Sequence, residues 1–115
     1  GNDGPAAPAL YPASQPGVIA VTGVDGTNRA LMEAGRSAHL DYAAPGADMA
    51  AALPGKGYAK VRGTSFATPF VTSRLALRGS TALLDAEASK KGRGRIGRGI
   101  VCGECRVAPK HVGAK

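Results

Sequence analysis

The stretch Gly63-Thr64-Ser65-Phe66-Ala67-Thr68-Pro69 constrains this chain more than any other. A glycine and two hydroxyl residues lead directly into an apolar run from Phe66 to Leu77, long enough for about three helical turns. The pattern predicts a sharp turn at Gly63 and a helix whose N-terminus lies at or just before Ser65. The first N–H groups of a helix have no partner within it and carry partial positive charge. A serine hydroxyl held there sits beside donors suited to an oxyanion, the setting a nucleophilic serine requires. The same residues also suit plain helix capping, which involves no chemistry.

The rest of the chain supplies short elements around that turn. Pro5, Pro8, Pro12 and Pro16 break residues 1–17 into loop. Val18-Ile19-Ala20-Val21-Thr22-Gly23-Val24 is β-branched and apolar on both faces, as a buried strand of a parallel sheet is. Asp25-Gly26-Thr27-Asn28 reads as a turn. Leu40-Asp41-Tyr42-Ala43 reads as a second short strand stopped by Ala44-Pro45-Gly46. Residues 48–53 and 58–62 flank Pro54-Gly55-Lys56-Gly57 and predict a β-hairpin. The helix after Ser65 is expected to stop at Arg78-Gly79, and Ser80 to cap a shorter one with Leu83 and Leu84 inward and Asp85 and Glu87 outward. Lys90 to Gly99 has no period and reads as loop, before a short final strand at Ile100-Val101-Cys102. The fold class is α/β: a parallel sheet flanked by helices, with a hairpin beside the Ser65 turn.

The charge is unevenly placed. Of the net +7, residues 1–89 contribute nothing, with seven basic and seven acidic residues, while residues 90–115 hold eight basic residues and only Glu104. The basic character is that of a tail. The Lys90–Arg98 run can contact phosphates, but it has no Phe, Tyr or Trp interleaved, so base stacking is not offered. A solvated basic loop is the simpler reading, and nucleic-acid binding is not expected. No run of 18 apolar residues indicates a membrane span. With 115 residues, a Gly-Asn-Asp-Gly-Pro opening and no initiator Met, the chain is expected to be part of a larger domain, with any export signal upstream.

Gly1-Asn2-Asp3-Gly4, Tyr11-Pro12, Val18-Ile19-Ala20-Val21, Ala44-Pro45-Gly46 and Gly63-Thr64-Ser65-Phe66-Ala67-Thr68-Pro69 occur in an order and spacing that resemble the C-terminal half of the subtilisin-like serine proteases, the subtilases. The resemblance covers residues 1–78 as the C-terminal part of a catalytic domain. Residues 79–115, a helix, basic loop and CxxC tail, resemble the family only loosely. It implies Ser65 as nucleophile, the Asn2 amide and the Ser65 N–H as oxyanion donors, and Thr64 in support. Gly1, Asp3, Gly4, Leu10 and Tyr11 match segments that shape the pocket for the substrate side chain before the cut. Leu10 matches a place that helps form the pocket floor, where a larger residue would disfavour bulky substrate side chains. Tyr11-Pro12 matches a pair whose peptide bond can be cis. The backbone at Ala13, Gln15 and Val18 matches a cation-binding loop of some members, which makes it a candidate calcium site with occupancy left open, and no carboxylate reinforces it. No cofactor is required.

The sequence also departs from the family. The family order is Asp, His, Asn, Ser, and this chain begins at the Asn. His39 and His111 lack the family's histidine context and read as surface residues. Phe70 stands where many members have His, and residues 30–38 differ from the usual serine- and glycine-rich stretch. An incomplete domain is therefore expected, inactive alone and exposing an apolar face and sheet edge where the missing N-terminal half would pack. Cys102 and Cys105 admit a local disulfide, free thiols, or zinc with His111. The reading is a secreted serine endopeptidase acting on peptides or proteins. The alternative is a non-catalytic remnant that binds partners through its basic tail.

Overall fold

The computed structural model describes residues 1–114; Lys115, the last residue of the 79–115 segment, lies outside the described residues. Val21–Val24 forms β1 and Tyr42–Pro45 forms β2, paired in parallel with Val21 opposite Tyr42 and Val24 opposite Pro45. Both strands differ from the sequence expectation in extent. The Asp41 carboxylate accepts the Ala20 N–H at 2.7 Å, and the Ala20 carbonyl accepts the Asp41 and Tyr42 N–H groups. That exchange opens the ladder, so β2 begins at Tyr42 and runs on through Ala44 and Pro45. Pro45 is tolerated because it ends the strand; Gly46, next in sequence, supplies the N–H that closes on the Val24 carbonyl at 2.9 Å.

Residues 99–101 lie alongside β2. The Ala43 N–H donates to the Gly99 carbonyl at 2.9 Å and the Val101 N–H to the Ala43 carbonyl at 2.7 Å. Instead of the expected final strand there is one parallel bridge, Ala43 to Ile100, with Ser89 pairing on the far side of Ile100. Met49–Ala52 (β3) and Tyr58–Val61 (β4) form the antiparallel hairpin. Two helices follow, Thr64–Arg78 (α1) and Thr81–Glu87 (α2). A left-handed Gly79 closes α1, and the Ser80 side chain caps α2 by accepting the Leu83 N–H at 3.2 Å.

The parallel pair is covered on both faces, which explains its uninterrupted apolar sequence. On one face Ala67 and Val71 of α1 pack with Tyr42, Ala44, Leu84, Val101 and Cys102. On the other, Val24 and Ala43 pack with Ala30, Ile96 and Ile100. Of the two α2 leucines only Leu84 is buried; Leu83 is 54% exposed, a correction to the pattern expected from sequence. The buried Tyr42 hydroxyl reaches Asp85 and the Thr81 carbonyl, tying β2 to α2.

The basic segment is irregular, as expected, but it is not a free loop. Ile96 and Ile100 are buried, the Ala30 N–H donates to the Arg93 carbonyl at 2.9 Å, and the Arg98 N–H donates to the Asp41 carbonyl at 2.7 Å. Beyond it, Cys102 and Cys105 are joined by a disulfide. Arg106 follows and turns its guanidinium inward. It donates to the carbonyls of Val24 (3.2 Å), Asp25 (2.7 Å) and Ala47 (3.0 Å), where the parallel strands end. Burial pulls the pKa of Arg106 below the usual arginine range, against the pull of Asp48 and Asp25.

One contact joins the parallel pair to the start of α1. An added side-chain carbon at Gly46 would lie 2.9 Å from the Gly63 carbonyl oxygen and 3.0 Å from Gly23 Cα. Both neighbours are backbone and cannot give way cheaply. Gly46→Ala is therefore expected to destabilise the chain by about 1–3 kcal/mol, the cost of overpacking a closed contact. Arg106→Leu is expected to cost about 1–3 kcal/mol by leaving carbonyls without their donor. Denaturant midpoints of the two variants check both.

Candidate active site

Gly63 sets the geometry of the site. Its φ of 142° is in the region glycine alone adopts readily, and its N–H donates to the Gly46 carbonyl at 2.8 Å. The chain enters α1 at once, so Thr64 and Ser65 are its first two residues. Thr64 is buried and Ser65 is exposed. No acidic residue occupies the first turn, so nothing on the helix itself neutralises the positive end of its dipole. Pro69, four residues after Ser65, has no N–H to return to the Ser65 carbonyl.

Asn2 reaches this turn from 62 residues away in sequence: its Oδ1 accepts the Thr64 backbone N–H at 3.1 Å. With the oxygen engaged, the Nδ2 hydrogens remain as donors at the same turn. Nδ2 lies 3.7 Å from where a side-chain carbon of Gly63 would stand. Thr64 contributes here through its backbone N–H, which orients the Asn2 amide. The structure thus brings Asn2, Thr64 and Ser65 together at one helix start.

The loop carrying Asn2 is held by the segment around Glu33. The Gly35 N–H donates to the Gly1 carbonyl at 3.2 Å, and the Gly4 N–H donates to the Glu33 carbonyl at 2.8 Å. The Glu33 carboxylate accepts from Arg62 Nε at 2.7 Å and Nη2 at 2.9 Å. Arg62 holds the Glu33 carboxyl below the usual glutamate range, and Glu33 raises Arg62 in turn.

Gly1, Asp3 and Leu10 line a small cavity of about 30 Å³ together with Ala13, Gly35 and His39. Leu10 packs so closely on Gly1 that a side chain at position 1 would collide with it. Gly4 is engaged with Glu33, and Tyr11, joined to Pro12 by a cis peptide, is 81% exposed. The Gln15 carbonyl already accepts the Val18 N–H at 3.1 Å, and the turn holds no carboxylate. His39 is half-buried beside Asp3 in the small cavity, which corrects its surface reading, whereas His111 is exposed in a short 3-10 turn. Among the described residues neither histidine is hydrogen-bonded to Ser65.

Sequence reasoning missed Glu33, Arg62 and Arg106. None belongs to a motif, and the charge balance of residues 1–89 signalled pairing in general without naming partners.

The parallel strands, the hairpin and the serine at a helix start place the chain among α/β proteins with a serine-bearing helix N-terminus, and its relatives specify the family. The subtilase family, peptidase family S8, matches residues 1–86, and the chain belongs to that family. Subtilisin E of Bacillus subtilis (strain 168) is 38% identical over 77 residues, covering 67% of this chain and 20% of the relative. Subtilisin Savinase of Lederbergia lenta is 39% identical over 77 residues, covering 67% of this chain and 28% of the relative. The chain therefore spans between a fifth and three tenths of the length of these curated relatives. Among solved structures, the prenylagaramide maturation protease PagA superposes with a TM-score of 0.61 at 27% identity, over 79% of this chain and 42% of that one. A point mutant of the protease domain of PatA gives 0.61 at 29% identity, over 79% and 39%.

Two outcomes follow for the site. Asn2→Ala removes the acceptor of the Thr64 N–H, and amide exchange at Thr64 is expected to accelerate about tenfold, the equivalent of one neutral hydrogen bond. The Glu33–Arg62 pair is expected to respond to acid. Glu33 has a folded pKa below its ordinary 4.5, so its contribution is present above that value and is lost as pH falls through the lowered one. Unfolding free energies of wild type and Glu33→Gln from urea titrations should differ by less than about 1 kcal/mol at neutral pH and converge in acid.

Proposed function

We propose that this chain is the C-terminal part of the catalytic domain of a secreted subtilisin-like serine endopeptidase. The observation that carries the proposal is the Asn2 side chain hydrogen-bonded to the N–H of the residue before Ser65, at the start of α1. An amide donor, a helix N-terminus and an exposed serine then converge on one turn. In the proposed reaction Ser65 Oγ attacks the carbonyl carbon of a peptide bond. The carbonyl oxygen becomes an oxyanion and takes hydrogen bonds from Asn2 Nδ2 and the Ser65 N–H. The serine proton passes to a histidine that an aspartate orients. Neither described histidine is bonded to Ser65, so both residues are assigned to sequence outside these 115 residues.

That assignment is supported by an uncovered surface. Within the described residues β2 is the only strand paired with β1; the other edge is met at its C-terminal end by Ala30 and Leu31, and a groove of about 330 Å³ runs between Ile19 and Val21 on one side and Thr68, Val71, Thr72, Leu75 and Ala76 of α1 on the other. An apolar groove beside an open strand edge suits a further strand and helix of the same domain. Export is supported by the Cys102–Cys105 disulfide, which is stable in oxidising compartments. No helix among the described residues is long and apolar enough to cross a membrane.

A second reading, a binding module, draws support from the basic segment. Lys90, Lys91, Arg93, Arg95 and Arg98 are exposed while Ile96 and Ile100 anchor their backbone, and of the five only Arg98 has an acidic partner, Asp85, among the described residues. Under this reading, affinity for a polyanion falls steeply with salt, and Lys91→Ala/Arg93→Ala/Arg95→Ala abolishes it.

The two readings separate on one experiment, treatment of the full-length protein that carries this sequence with a fluorophosphonate. Labelling at Ser65, absent in Ser65→Ala, is expected of the protease, and a completed domain that stays unlabelled overturns it. In the active protein Asn2→Ala should lower turnover about 10²–10³-fold, a magnitude established for one such donor in a subtilisin and not a value calculated for this chain.

A further inference from the structure

We infer that Glu33 is a positioning residue for the oxyanion site, holding the Asn2 loop with its backbone and the Ser65 turn with its side chain. Its catalytic consequence rests on the protease reading; the geometry itself does not.

The two halves of the site come from distant parts of the chain, and neither sits on an element that fixes it to the other. Residues 1–4 have no regular structure. Their position comes from two backbone bonds to residues 33–35, one at Gly1 (3.2 Å) and one at Gly4 (2.8 Å). Asn2 lies between those two anchors. On the other side, β4 ends at Val61, and Arg62 is the residue between that strand and Gly63. Its guanidinium grips the Glu33 carboxylate through two bonds, Nε at 2.7 Å and Nη2 at 2.9 Å. A fork of this kind fixes direction as well as distance. One residue therefore takes the Gly4 N–H on its carbonyl and the Arg62 guanidinium on its carboxylate.

The direct link between the halves is a single neutral bond of 3.1 Å from the Thr64 N–H to Asn2 Oδ1. It closes the gap but does not fix the approach angle. The seat itself is rigid. Leu31 and Ala34 are buried with Ala47, and the Leu31 N–H donates to the Gly23 carbonyl at 3.0 Å. Exposure argues the same way: the side chains of Glu33 and Arg62 are 30% and 52% exposed, where an ion pair adds little to global stability. What remains for a bidentate pair at this place is alignment. Displacing a catalytic group by about 1 Å costs about a hundredfold in rate, so partial loosening is expected to cost about tenfold.

The test is steady-state kinetics of the full-length protein on a peptide substrate, with Thr64 amide exchange measured in the same variants. Glu33→Gln and Arg62→Gln are each expected to lower kcat about tenfold with KM within twofold, and to accelerate Thr64 exchange. In an Asn2→Ala background Glu33→Gln should have no further effect on kcat, because the group it positions is gone. The swapped pair Glu33→Arg/Arg62→Glu should recover most of the loss, which also guards against a single variant that folds poorly. An equal loss from Glu33→Gln with and without Asn2 overturns the inference, as do unchanged kcat and unchanged Thr64 exchange. If wild-type Ser65 fails to react with the fluorophosphonate, the protease reading falls, and Thr64 exchange in Glu33→Gln still decides whether Glu33 positions the turn.

Discussion

Backbone touches backbone where Gly23, Gly46 and Gly63 meet, and the site depends on that contact. Gly46 donates to Val24, closing the parallel pair, and accepts from Gly63, fixing where α1 begins. Its Cα lies so near Gly23 and the Gly63 carbonyl that no side chain fits at position 46. Ser65 is two residues further on. The position of the hydroxyl thus follows from the end of a sheet through two hydrogen bonds and one steric contact, without a flexible link between them. Because Gly63 holds a positive φ, the chain can leave the hairpin and enter the helix within two residues, Arg62 and Gly63.

The residues that surround this column secure it from the far end of the chain. Arg106 sits at the carbonyl ends of both parallel strands, next to Ala47 and therefore one residue from Gly46. The half-buried guanidinium is tolerated because its Nε and Nη2 donate to carbonyls, and the nearby Asp25 and Asp48 offset part of the cost of burying its charge. The basic segment plays a comparable part on the opposite face, where Ile96 and Ile100 fill the space over Val24 and Ala43. Residues 96–106, in the segment loosely related to the family by sequence, are part of the same packed body.

Legibility from sequence tracked how local each determinant was. The Ser65 turn was plain, because a glycine, two hydroxyl residues and an apolar run specify a helix start within seven residues. The hairpin and the Ser80 cap were legible for the same reason. Asn2 entered only through resemblance to a family, since nothing in Gly1-Asn2-Asp3-Gly4 points to a partner 62 residues away. The bounds of β2 differ from the expected Leu40–Ala43 because the Asp41 side chain, not a backbone group, takes the Ala20 N–H. Glu33 and Arg62, 29 residues apart, carry no periodic signal at all. The Lys90–Arg98 run reads as solvent-loving by composition, and only the contacts of its two isoleucines show that it is pinned.

The division of chemistry in the proposed protease would have a physical reason. Oxyanion stabilisation is a matter of pre-set dipoles: a helix start, a backbone N–H and an amide oriented by Thr64. Such groups cost nothing to reorganise when charge develops, provided the scaffold is stiff. The glycine column and the Glu33 seat supply that stiffness within these residues. Proton transfer is different, since it needs a side chain whose pKa lies near the working pH and whose nitrogen reaches the serine oxygen. Here the two histidines are spent elsewhere, one beside Asp3 in a small cavity and one in an exposed turn. A group that supplies the base must approach Ser65 from a surface the chain leaves open. The groove between β1 and α1 lies along the open strand edge, and it is apolar in the way an unfilled domain interior is. Under the proposed protease reading, a rigid half that stabilises charge would join a second half that moves protons, and the hydroxyl would stay inert until both were assembled.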